Sequence, residues 1–84
     1  MYTITYKKSA AKALARMPIK TAQQFMAAFE LLAVGQGESL AIKKLQNREG
    51  YRLRIGGYRA LYRVIDAVLV IEVVAIGSRG DIYK

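Results

Sequence analysis

The stretch "YRLRIGGYRALYRVI", residues 51–65, constrains the fold more than any other part of this chain. A glycine pair, Gly56-Gly57, divides two runs rich in Tyr, Leu, Ile and Val. That is the pattern of a two-residue turn joining strands Tyr51 to Ile55 and Tyr58 to Ile65. Pairing outward from the turn opposes Ile55 with Tyr58 and Arg54 with Arg59. Side chains alternate along a strand, so Tyr51, Leu53, Ile55, Tyr58, Ala60, Tyr62 and Val64 fall on one face. Arg52, Arg54, Arg59 and Arg63 fall on the other, with Leu61 and Ile65 among them. The first face reads as core and the second as a cationic surface.

The rest of the chain supplies partners for this hairpin. Tyr2 to Tyr6 alternates as a short strand. Ser9 is a candidate cap for a helix from about Ala10 to Met17, and Pro18 breaks that helix and fits the first turn of a second. In the second, Ala22, Phe25, Met26, Phe29, Leu32 and Ala33 recur at helical spacing, and Gly35 is a natural stop. Ala41 to Leu45 is a candidate short strand between the loops "GQGESL" and "QNREG". Asp66-Ala67 marks a turn into a last strand, Val68 to Ile76. With that turn, Glu72 comes opposite Leu61, within diagonal reach of Arg59 and Arg63. In the tail, Gly77 and Gly80 suggest a turn that returns Arg79 and Tyr83 over the sheet. A strand, two helices and then consecutive strands describe a single α+β domain, 1–84. Its helical hairpin packs on one face of a small, mainly antiparallel sheet.

Composition narrows the function. The 84 residues contain neither Cys nor His, which excludes disulfides, thiolate chemistry and histidine acid–base catalysis. Six acidic residues scattered along the chain make a structural metal site improbable, and no cofactor is expected. No apolar run approaches the roughly 18 residues needed to cross a bilayer, and the N-terminus lacks the apolar centre of a signal peptide. The cytoplasm is the default location.

The formal net charge of +8 points to a polyanion or an acidic protein as partner. Like charges directly across a sheet are destabilising, so folding stability does not explain the Arg54–Arg59 pair. Guanidinium groups grip phosphate in a bidentate manner, whereas lysine offers a point charge. The bland alternative is a solvated sheet face whose arginine stems cover apolar neighbours. Concentration of the arginines on one face favours phosphate binding.

The segments "LQNREGYRLRIGGYRALYRVID" and "VLVIEVVAIGSRGDIY" resemble the RelE/ParE superfamily of bacterial toxins from type II toxin–antitoxin systems. The resemblance implies an antiparallel sheet carrying an N-terminal helical hairpin. Through its RelE-like branch it implies a ribosome-dependent mRNA endonuclease that inhibits translation. In that chemistry the ribose 2′-OH attacks the adjacent phosphate, the 5′-OH of the next nucleotide leaves, and a 2′,3′-cyclic phosphate remains. Carried over by position, Arg59 and Arg79 would clamp the phosphate, Arg54 would lie near the leaving group, and Tyr83 would stack on the nucleotide or assist proton transfer. Arg52, Arg63, Lys43 and Lys44 would bind RNA around it. The chain departs from many relatives in having Ser78 where they carry His or Lys. The implied partners are a cognate acidic antitoxin, the ribosome and mRNA. The alternative within the superfamily is a ParE-like inhibitor of DNA gyrase without nuclease activity.

Overall fold

The computed structural model describes residues 1–78. In chain order these form β1 (Thr3–Tyr6), α1 (Lys8–Arg16), α2 (Ile19–Ala33), β2 (Ile42–Lys44), β3 (Tyr51–Ile55), β4 (Tyr58–Ile65) and β5 (Val70–Ser78). The five strands make one mixed sheet in the order β1-β5-β4-β3-β2. β1 runs parallel to β5, and the other pairings are antiparallel.

Both helices pack on one face of the sheet. The core joins Ala10, Phe25, Ala28 and Phe29 from the helices to Leu53, Ala60, Tyr62, Ile71, Val73 and Ile76 from the strands. Phe29 sits edge-on to Tyr62 at 5.5 Å between centroids, and Tyr51 stacks on Tyr62 at 5.4 Å. Offset and edge-to-face arrangements suit the ring quadrupoles, so three aromatic side chains fix the helix against the hairpin. Met26, assigned to the apolar stripe by its spacing, is instead 42 % exposed, and Ala28 takes the buried position.

The helix ends follow local chemistry with two departures from the sequence reading. Met17 is extended, as a residue before proline must be, and Pro18 is the N-cap of α2 and not part of its first turn. Gly35, at φ 76°, ends α2: its N–H donates to the Leu32 carbonyl, and the Gln36 N–H donates to Leu31. This is the glycine-terminated pattern that satisfies orphan carbonyls. Ser9 is not a cap. The N-cap of α1 is Lys7, and the Ser9 hydroxyl donates to the Val74 carbonyl at 3.2 Å.

Val74 explains that contact. The β4–β5 register runs from Ile65↔Val70 to Tyr62↔Val73 and then resumes at Leu61↔Ala75, skipping Val74. The extra residue is a β-bulge, and Ser9 satisfies its displaced carbonyl. The turn before β5 is also longer than expected, a 3-10 turn at Asp66–Val68 followed by Leu69 in the left-handed region. The longer turn places Glu72 opposite Arg63 and not opposite Leu61. β5 therefore starts at Val70, two residues later than the sequence suggests, and runs through Gly77 to Ser78.

Candidate nucleic-acid interface

The face of the sheet opposite the helices carries the predicted arginines. Gly56, at φ 58°, makes the hairpin turn, and the β3–β4 ladder is unbroken. Arg54 pairs directly with Arg59, and Arg52 with Leu61. The bulge lies on β5, so it leaves the alternation of the arginines intact. On the other side of Arg59, the register partner on β5 is Gly77, which has no side chain to crowd it.

The lysines of β2 divide between the two faces. Lys43 pairs with Arg52 and joins the cationic face, whereas Lys44 pairs with Tyr51 on the helix-bearing side. Lys43, Arg52 and Arg54 line one cleft. Among the described residues no carboxylate lies within ion-pairing distance of these three. Close clustering of unpaired cations is costly without an anionic ligand.

Arg63 has a different environment. Its Nε and Nη2 donate to Glu72 Oε1 at 3.0 and 2.7 Å, and its Nη1 donates to Glu49 Oε1 at 3.2 Å. The bond to Glu72, with the attraction of that carboxylate, raises the guanidinium pKa further above its ordinary value. Arg63 is thus occupied by two carboxylates, unlike Arg52 and Arg54.

The loop after β2 folds onto this face. The Leu45 N–H donates to the Gly50 carbonyl at 3.0 Å, closing the loop. Gly50, at φ 120°, lies so close to β4 that a Cβ there would stand 2.7 Å from the Tyr62 carbonyl oxygen. Leu61, expected among the arginines, is 2 % exposed and lines a cleft with Leu45. Val64, expected in the core, is 36 % exposed at the rim of a cleft with Lys44, Tyr51 and Asp66. Arg48, on the same loop, extends the cationic surface and was not singled out from the sequence, because only the folded loop brings it there. Arg79 and Tyr83 lie outside the described residues, as does the turn expected at Gly80.

Among the described residues no group of three or more acidic side chains is placed to hold a metal ion, and no helix is long and apolar enough to cross a membrane. The surface is therefore an array of fixed positive charges on a rigid sheet. It can bind and orient phosphate groups and stabilise negative charge that develops on them.

Comparison with known proteins agrees with this architecture. No curated protein matches the sequence significantly. Among solved structures, the chain is similar to a chain of the archaeal RelE-RelB complex from Pyrococcus horikoshii OT3, with 27% identity and a TM-score of 0.77 over 95% of this chain and 97% of that one. It is also similar to a chain of the intact E. coli RelBE toxin-antitoxin complex, with 24% identity and a TM-score of 0.76 over 93% of this chain and 96% of that one. The isolated E. coli RelE toxin matches with 25% identity and a TM-score of 0.75, over 99% of this chain and 92% of that one. A family model, "ParE toxin of type II toxin-antitoxin system, parDE", matches residues 4–83, and with it the chain belongs to the RelE/ParE superfamily of type II toxin–antitoxin toxins.

Proposed function

We propose that this toxin is a ribosome-dependent mRNA endonuclease held in check by an acidic antitoxin. The observation that carries the reading is the Arg54–Arg59 pair, two guanidinium groups in direct cross-strand register beside Arg52 and Lys43. In-line attack by a 2′-OH builds negative charge on the phosphorane, and guanidinium groups fixed in advance would stabilise that charge without reorganising. Arg59 and Arg79 would clamp the phosphate, and Arg54 would lie beside the departing 5′-oxygen. Arginine holds its proton too tightly to shuttle it, so Tyr83 or Lys43 would assist proton transfer. Arg52 would bind flanking phosphates. Lys44 and Arg63 are weaker candidates, the one facing the other side of the sheet and the other held by carboxylates.

An antitoxin partner is supported by the RelB-bound state of the archaeal and E. coli relatives. An acidic segment would also complement the +8 charge of this chain. A translation reaction programmed with a defined mRNA, followed by mapping of RNA ends, tests the function. Cleavage that needs ribosomes and fails with Arg59→Ala or Arg79→Ala would support it. The ParE family match sustains a second reading, inhibition of DNA gyrase, to which intact mRNA and a positive supercoiling-inhibition assay would point.

A further inference from the structure

The cationic surface does not stop at the hairpin. Arg48 lies at the junction of two clefts. One adjoins Lys43 and Arg52. The second continues over Leu61 and Val74 to Lys7, the residue that follows β1 beyond the other side of the sheet. Both Arg48 and Lys7 are exposed. Glu49 also lines the second cleft, but it is engaged by Arg63.

The loop that carries Arg48 is fastened at three points. Its ends are closed by the Leu45–Gly50 hydrogen bond, Gly50 is lodged against the Tyr62 carbonyl, and Glu49 is tied to Arg63. Asn47, at φ 63°, supplies the left-handed residue that the bend requires. Such fastening costs conformational entropy that a mere solvated loop need not lose. Its product is an arginine held over the open sheet, across a cleft from a lysine.

We infer that Arg48 and Lys7, one on each side of this cleft, form a second phosphate subsite that holds the same single-stranded RNA as Arg54 and Arg59. The inference rests on the proposed RNA-binding function. Arg48 grips the phosphate oxygens and Lys7 contributes a point charge. Among the described residues the cleft is lined by aliphatic and charged side chains and by a single aromatic, Tyr62, which is 3 % exposed and committed to the core. The described residues thus offer no stacking platform there, and the subsite reads backbone and not base.

Fluorescence anisotropy with labelled heptauridylate and triuridylate, titrated between about 50 and 200 mM salt, tests this. The proteins compared are wild type, Arg48→Ala/Lys7→Ala and Arg54→Ala, each checked for a native thermal transition. The double variant is expected to bind heptauridylate roughly tenfold more weakly at low salt, with a log–log salt slope smaller by about 0.7. Triuridylate, too short to span both subsites, should bind it as well as it binds wild type. Heptauridylate binding and slope unchanged in the double variant, or no wild-type binding at low salt, would overturn the subsite. Neither result decides the nuclease reading, which stands or falls by RNA-end mapping on ribosomes.

Discussion

Arg54 and Arg59 face each other directly across the β3–β4 ladder. Like charges in that geometry work against folding, typically by about 0.2–1 kcal/mol. Arg54→Thr is therefore expected to stabilise the domain by up to about 1 kcal/mol while reducing mRNA cleavage at least tenfold, an order-of-magnitude expectation for a lost charge-stabilising group. Thermal melts beside the cleavage assay check both halves. A destabilised variant with full activity would make the pair structural.

Gly50 combines a left-handed backbone with close approach to the Tyr62 carbonyl. An alanine there meets strain and a backbone atom that cannot rotate away. Gly50→Ala should cost about 1–3 kcal/mol in urea denaturation. Wild-type stability in that variant would mean the loop shifts freely, contrary to its fastening.

Tyr62 has its pKa pushed up to about 12, by burial first and by Tyr51 second. In the unfolded chain a tyrosine titrates near 10. Below that pH both states keep the proton, so the contribution of Tyr62 to stability is complete. Between about pH 10 and 12 the unfolded chain alone releases it, and stability falls by up to about 1.4 kcal/mol per pH unit. Tyr62→Phe should make the alkaline decline shallower. Equal slopes in the two proteins would assign the decline to other groups.

Glu72 binds Arg63 through two donors. Glu72→Gln keeps the shape but removes one negative charge from a chain already at +8. It is expected to tighten binding of heptauridylate and steepen its salt dependence as Arg63 becomes available to phosphate. Weaker binding in a folded variant would show that the ion pair itself positions the RNA surface.

How far the sequence reveals this molecule depends on how local each feature is. The hairpin register was legible because a glycine pair and strict alternation set it within the fifteen residues 51–65. The partner of Arg63 was not. It depends on the longer turn at Asp66–Val68; the bulge further along at Val74 was hidden as well, because in "EVVAI" apolar residues flank it on both sides. Ser9 looked like a cap because its hydroxyl suits one, but the carbonyl it binds is exposed only by that distant bulge. Arg48 was hidden for a similar reason, since contacts to β4 from its loop decide where it points. Met26 matched helical spacing, yet the buried side of α2 runs through Ala22, Phe25, Ala28, Phe29 and Ala33.

Val74 gives β5 a change of phase. Before it, the odd-numbered Ile71 and Val73 point inward; after it, the even-numbered Ile76 does. One uncounted residue thus lets a single strand present Glu72 to Arg63 and, five positions on, Gly77 to Arg59. Those two positions differ in parity, so a regular strand could not turn both toward the same side. Were Val74 drawn into the ladder as a regular residue, β5 would have to choose between its first half and its second, exchanging oil for water in whichever it abandoned.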